Sequence, residues 1–316
     1  MGALAAVVFI ALFGGAIATR LVGHDGSRPF PYATSSALRP VGPWTRVPET
    51  DEINIDIYGN ILPPDHPAKR ALLVLGADGP LGRDELIRVL DGARTSLEIA
   101  LGAVLVALMI AIPVGAVAGY YGGATDTVVA RFTETVMAFP LLLFLVFATA
   151  KLSPSLRGVS YGWLLPSGVF AEALLIGIFT SFYPTRLVRA QLLTLRNAEF
   201  VEASHMIGAP DSRILRRHLL PHLVPTLLVW APIAVATNIL LEVGLSFIGV
   251  GVQPSTPTWG SLLATAWGTV YSPQAFGHAQ TAWQTIVPTT AILITVLSLN
   301  QVSEGIRRAI EPWGRH

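Results

Sequence analysis

Few side chains in this sequence could do covalent chemistry, and none stands in a pattern that would. There is no cysteine, hence no thiol nucleophile, disulfide framework or thiolate metal site. The lysines are Lys69 and Lys151, and neither closes a Gly-x-x-x-x-Gly-Lys loop, so the chain carries no P-loop with which to hydrolyse ATP. His218 and His222 are four residues apart, a spacing able to hold zinc, but Pro221 lies between them and no third ligand accompanies them. The carboxylate pairs Asp51–Glu52 and Asp84–Glu85 have no nucleophile beside them and read as surface charge. Glu242 is different, because it interrupts a long apolar run. An ionisable group at membrane depth is costly and faces a bundle interior or a cavity, which makes Glu242 a pathway candidate. Asn238 lies one helical turn earlier on the same face, where it can hydrogen-bond across helices.

The stretch from Asn197 to Pro221 is polar and Arg-rich between two apolar runs. It predicts two short helices meeting at a corner. Asn197 can cap the first, Gly208 suits the left-handed residue that ends it, and Pro210 fits the first turn of the second. Asp211 then sits at the positive end of the second helix, with Arg216 and Arg217 near its negative end. Phe200, Ala203 and Ile207 share one face of the first helix; Ile214, Leu215 and Leu219 share one face of the second. Such a pair, held at a membrane surface, is built to dock.

Glu202-Ala203-Ser204, Gly208 and Leu220-Pro221 resemble the EAA loop of binding-protein-dependent ABC importer permeases, with Ser204 replacing the second alanine. Three further stretches resemble the C-type permease subunits of dipeptide and oligopeptide importers. They are Gly82-Arg83-Asp84 with Gly92-Ala93-Arg94-Thr95-Ser96-Leu97, then Ala118-Gly119-Tyr120-Tyr121-Gly122-Gly123, and the run Leu241 to Pro254. The resemblance covers about residues 76–312. It implies that Glu199, Glu202, Ala203, Ser204, Gly208, Ala209, Asp211, Leu220 and Pro221 form a coupling loop for an ATPase subunit. It also offers Glu242 a second reading, a carboxylate paired in the interface between two permeases. The implied partners are a homologous B-type permease, two ABC ATPase subunits that bind Mg-ATP, and an extracytoplasmic substrate-binding protein. No cofactor is expected in this chain. Di- and oligopeptides lead as cargo; nickel chelates, glutathione and oligosaccharides use similar permeases.

Composition supports the same class independently. The chain has 316 residues, 52% hydrophobic and 13% charged, against about 25% charged in an ordinary soluble domain. A mean hydropathy of +0.57 fits a chain embedded in the lipid bilayer. A net charge of +1 leaves no basic patch for nucleic acid. The expected fold is all-α and polytopic, with six transmembrane helices: Met1–Thr19, Ile99–Tyr120, Thr127–Ala150, Glu172–Val188, Leu223–Ile248 and Thr281–Val302. Pro113, Pro140 and Pro184 punctuate the second, third and fourth. The first span competes with a secretory signal cleaved after Ala16-Ile17-Ala18, but no basic residue precedes it.

In domain terms, residues 1–22 are the first helix, 23–94 a small extracytoplasmic segment, 95–312 the permease domain with its loop at 197–221, and 313–316 a tail. Within the outer segment, Ile53–Ile57 alternates like a strand. Lys151–Ala171 reads as a connection, and Trp259, Trp267 and Tyr271 as an interfacial aromatic belt or a gate. A secondary transporter would show paired inverted halves, and no internal repeat is present. A membrane scaffold would need neither the prolines nor Glu242.

Arg186, Arg189, Arg196, Arg213, Arg216 and Arg217 crowd the loop between spans four and five, and Arg307, Arg308 and Arg315 the tail. By the positive-inside rule both lie in the cytoplasm of a bacterial cell, with both termini inside the cytoplasmic membrane. Single cysteines at Ser36 and Ser255 should therefore react with an impermeant maleimide from outside, and one at Ser212 only after the membrane is opened. Labelling at Ser212 in intact cells would reverse this orientation.

Overall fold

The long apolar runs become helices, as they must where lipid offers the backbone no partners. The structure, a computed structural model, describes residues 14, 33, 40–48, 70–78, 81–156, 168–252, 256–270 and 282–310. The first span, the strand at 53–57, Tyr271 and the tail at 313–316 lie outside these.

The described residues are mostly helical, with two small antiparallel ladders. Strands β1 (Thr45–Pro48) and β2 (Arg70–Leu73) pair with Thr45 opposite Leu73. Strands β3 (Ala77–Asp78) and β4 (Arg83–Asp84) pair with Ala77 opposite Asp84. Asp84 then caps the next helix by accepting from the backbone N–H groups of Leu86 and Ile87. That helix, α1 (Glu85–Tyr121), starts well before the expected span at Ile99, and Pro113 lies inside it without ending it. At 37 residues it is about 55 Å long, well beyond the ~30 Å hydrocarbon core.

The expected third span is instead two helices, α2 (Gly123–Met137) and α3 (Leu141–Leu156), bent by 87° at the break before Pro140's successor. Pro140 has no N–H for the ladder, so the helix stops and restarts there. The helix α3 also takes up the start of the connection expected at Lys151. The expected fourth span is likewise divided at Ser181 into α4 (Val169–Thr180) and α5 (Phe182–Leu195), with Pro184 in the first turn of α5 where its missing N–H costs little. Then follow α6 (Glu199–Met206), α7 (Asp211–Ile214), a π turn (Leu215–Leu219), α8 (Leu220–Ile248), α9 (Trp259–Val270) and α10 (Trp283–Ile310). Among the described residues, three helical stretches are long and apolar enough to cross a membrane: Glu85–Tyr121, Asp211–Ile248 and Trp283–Ile310. The bent pair would make a fourth, and Val169–Thr180 is a shorter apolar helix.

The chain forms two compact units. The first comprises Glu98–Leu241 and Leu299–His316 with Met1–Gly2. Its packing centre is the close approach of α1 and α5. A Cβ on Gly115 would lie 2.7 Å from the Thr185 carbonyl oxygen, and one on Gly119 2.7 Å from that of Arg189. These glycines are four apart, the small-residue spacing that lets two helix backbones touch where lipid supplies no hydrophobic drive. The core around them is Ala116, Val188, Leu192, Val201, Ile214, Leu219 and Leu223.

The second unit comprises Ala3–Leu97 and Glu242–Ser298. Its outer part packs Ala33, Val47, Leu73 and Ala77 together. Asp78 holds Arg83 through two hydrogen bonds of 3.0 and 2.7 Å, and the buried Arg88 lies 2.5 Å from the same carboxylate. Gln284 donates to the Ala77 carbonyl at 2.9 Å, tying α10 to β3.

Gly119→Leu should force α1 and α5 apart. Overpacking of this kind costs about 1–3 kcal/mol, read as a lower melting temperature of the purified chain in detergent. An unchanged melting temperature would mean that the two helices do not touch at this point.

Candidate functional site

The corner at 197–221 is built by local backbone chemistry. Helix α6 begins after Ala198, whose extended backbone (φ −76°, ψ 145°) makes it the N-cap; Asn197, expected in that role, is one residue too early. The helix ends at Gly208, with φ of +76°. Gly208 N–H donates to the His205 carbonyl at 2.9 Å and Ala209 N–H to that of Ser204 at 3.1 Å. This pair of bonds is a Schellman stop, which needs a left-handed residue and therefore favours glycine. A Cβ at Gly208 would meet nothing within 4 Å, so only the backbone angle selects glycine here.

The second arm differs from expectation. Pro210 is the N-cap of α7 rather than its first turn, and α7 runs through the π turn into α8 without a break. The stretch Asp211–Ile248 is one helix, so Arg216 and Arg217 do not lie at a helix C-terminus. Pro221 accounts for the π turn: its ring cannot donate to the carbonyl four residues back and would crowd it, and a wider turn ahead of it relieves both.

Burial separates the residues of this loop into two sets. Val201 and Ser204 face inward, and the Ser204 hydroxyl donates to the Phe200 carbonyl of its own helix. Ala209 and Leu220 are half-buried against the core of the first unit. Glu199, Glu202, Ala203, Gly208, Asp211 and Pro221 are exposed. The apolar face expected from Phe200, Ala203 and Ile207 is not the buried one, since α6 turns Val201 to the core instead. Met206 and Ile207 at the tip are 86% and 84% exposed. Phe200 stacks on His222, with ring centroids 5.4 Å apart, and His222 Nδ1 lies 2.6 Å from the His218 carbonyl. The His222 ring is thus engaged with the Phe200 ring and the His218 main chain.

Two stretches far apart in sequence meet here. Tyr120, from Ala118–Gly123, donates its hydroxyl to Asp211 Oδ1 at 3.0 Å, and His205 Nε2 lies 3.4 Å from the Tyr120 hydroxyl oxygen. Next to it, a Cβ on Gly122 would collide with the Arg196 guanidinium. Arg189 of α5 grips Asp126 of α2 with both nitrogens of one edge, Nε and Nη2. Asp126 had no assigned role in the sequence, Arg189 counted only toward orientation, and Tyr120 was visible only as part of a glycine-rich pattern.

The second unit holds Glu242. The carboxylate is fully buried and accepts from Ser96 at 2.8 Å and from Ser246 at 2.8 Å. Thr258 Oγ1 reaches Ser246 Oγ at 3.4 Å, and Trp259 N–H donates to Ser96 Oγ at 3.2 Å. The Trp259 ring is fully buried and gives its indole N–H to the Val89 carbonyl at 3.0 Å. Trp259 is therefore an internal anchor and not part of an interfacial belt; Trp267, half exposed, rests edge-on against Phe247. Gly92, Gly251 and Gly260 leave room for this node, since a Cβ on each would press against Thr258, Ser246 or Val243. Here the stretches 92–97 and 241–254 come together. Asn238 belongs to the first unit, where its amide lies 3.4 Å from the Ala100 carbonyl. It also borders a cavity of about 410 Å³ lined by Phe139, Phe179, Tyr183, Trp230 and Thr237 among others.

Residues 111–316 match the family described as binding-protein-dependent transport system inner membrane component. The chain is 34% identical over 239 residues to the glutathione transport system permease protein GsiD of Pectobacterium atrosepticum, covering 75% of this chain and 72% of that one. It is 31% identical over 237 residues to the oligopeptide transport system permease protein OppC of Haemophilus influenzae, covering 74% and 68%. Its fold is similar to a chain of the MetNI methionine ABC transporter solved in inward-facing conformations, with a TM-score of 0.52 at 20% identity over 71% of this chain and 96% of that one.

The Glu242 node predicts an asymmetry between two substitutions. Glu242→Leu leaves the Ser96 and Ser246 hydroxyls buried without their acceptor, at a cost of about 1–3 kcal/mol each. Glu242→Gln keeps an acceptor and should lose much less. Thermal unfolding in detergent separates the two; equal stability of both variants would show that the hydrogen bonds contribute nothing.

Proposed function

The chain belongs to the family of binding-protein-dependent transport system inner membrane components, and from that premise we propose that it is the subunit that couples ATP hydrolysis to peptide uptake. It is an ABC importer permease and a multi-pass membrane protein, of a family that works with ATPase and binding-protein partners. The reading proposed is a C-type subunit paired with a homologous B-type permease, two ATPases that hold Mg-ATP, and one extracytoplasmic binding protein. In this reading six spans leave both termini on the cytoplasmic side of a bacterial inner membrane, with residues 23–94 outside. The cargo is a di- or oligopeptide, by analogy with the oligopeptide and glutathione permeases it resembles. The alternatives within the class are nickel chelates and oligosaccharides.

The observation that carries the coupling role is the corner itself. A helix bearing exposed Glu199, Glu202, Met206 and Ile207 is joined through a fixed Schellman turn to a helix that continues to Ile248. An ATPase groove that grips α6 therefore acts on a membrane helix directly, through one turn whose backbone angles are set. Transport is then alternating access, a two-state change biased by ATP bound on another chain. Glu199, Glu202, Ala203, Gly208 and Pro221 form the outer surface of the coupling loop; Ser204, Ala209, Asp211 and Leu220 hold its shape. Asn238, at the edge of the aromatic-lined cavity, is assigned to the translocation pathway. Glu242 is proposed for the translocation pathway as well, as an ionisable group at membrane depth.

The test is Gly208→Val in vesicles containing the whole importer. The left-handed angle resists a β-branched residue by about 1–2 kcal/mol, which re-aims α6 relative to the long helix. The chain should insert and pair normally, yet lose substrate-stimulated ATP hydrolysis and peptide uptake. Glu202→Ala should act more mildly, since an exposed charge contact is worth about 1 kcal/mol or less. Wild-type uptake by Gly208→Val, with the ATPases bound, would remove the corner from the coupling path.

A further inference from the structure

We propose that Tyr120 is a positioning residue of the coupling corner, whose hydroxyl makes the inner end of α1 move with the corner. The inference rests on the coupling role proposed above and adds a second helix to what the corner drives.

One oxygen touches both arms of the corner. Tyr120 is the next-to-last residue of α1, and its hydroxyl donates to Asp211, the first residue of the long helix, at 3.0 Å. His205, in the second turn of α6, approaches the same oxygen at 3.4 Å. The ring is held in place for this contact. It meets Tyr121 edge-on at 5.1 Å and packs on the core of the first unit. The backbone behind it is fixed as well, because Gly119 lies against the Arg189 carbonyl and Leu192. Asp211 is a suitable acceptor. Its carboxylate stands at a helix N-terminus, where negative charge is favoured, and a hydrogen bond to a charged acceptor is stronger than a neutral one.

Among the described residues, Val201, Ile214 and Leu219 also meet the ends of these helices through apolar contact with Ala116, Val188 and Leu192. Apolar contact holds surfaces together without fixing a direction. The Tyr120 bond is directional, and it ties the start of the long helix to the end of α1. Since α1 spans Glu85–Tyr121, a displacement of the corner is delivered to two membrane helices instead of one.

Tyr120→Phe deletes the hydroxyl and keeps the ring. In vesicles holding the complete importer, with its binding protein and a labelled peptide, this variant should retain the wild-type number of ATPase subunits per permease. Maximal uptake per ATP hydrolysed should fall about three- to tenfold, the ratio that corresponds to one net hydrogen bond. The binding-protein concentration giving half-maximal uptake should not move. Asp211→Ala should match it, Asp211→Asn should lose less than Asp211→Ala because a neutral acceptor remains, and the double variant Tyr120→Phe/Asp211→Ala should be no worse than either single one. Wild-type uptake per ATP in Tyr120→Phe, loss of bound ATPase, or losses that add in the double variant would each overturn the proposal. A wild-type complex that takes up no peptide on ATP addition would instead bring down the peptide-importer reading, and this inference with it.

Discussion

Two helix backbones in contact set the geometry around the corner at 197–221. Where α1 and α5 cross, Gly115 and Gly119 bring one main chain against the carbonyls of the other. In lipid no hydrophobic force drives such a crossing, so the contact itself, dispersion over a close fit, has to supply it. Everything at the corner inherits the register that this contact fixes. It sets which way Tyr120 faces, how near Gly122 comes to Arg196, and where α5 hands the chain to α6. A side chain on either glycine would displace several polar contacts at once, although it touches none of them.

Charge and hydroxyl are used differently along the chain. Asp78 is met by the side chains of Arg83 and Arg88, and Asp126 by Arg189. Glu242, inside an apolar helix, is met by serine hydroxyls instead. A second full charge at that depth would add its own desolvation cost, whereas a hydroxyl brings a donor at far less. The node also gathers chain segments far apart in sequence, since Ser96 and Thr258 both converge on the helix turn from Glu242 to Ser246.

How much of this was legible depends on the range of the interaction. Gly208 was readable because its role is local: a left-handed stop depends on a few neighbouring residues, whereas Asp84, read as surface charge, turned out to cap a helix. The continuity of Asp211–Ile248 was not read, although a trace of it exists. The buried residues Ile214, Leu219 and Leu223 are spaced five and then four, and a five-residue step is what a π turn produces. The interruption at Ser181 was missed because Pro184 signals a kink or a restart equally well. Glu242 stood out by type, but its partner Ser96 lies 146 residues earlier, and nothing local links them. Trp259 was misplaced for a related reason. An aromatic between two spans suggests the interface, and only the packing shows its ring enclosed with the indole N–H satisfied.

The exposed tip of α6 has a consequence for how the subunit is made. Met206 and Ile207 sit side by side at the end of a short helix that does not bury them in its own chain. A newly inserted chain presents them to water, beside a turn that holds them outward. Apolar surface of this sort is what chaperones and proteases recognise. Subunit supply is thereby linked to partner supply. Copies whose tip nothing covers would carry a ready mark for removal, and these two side chains would shorten their life.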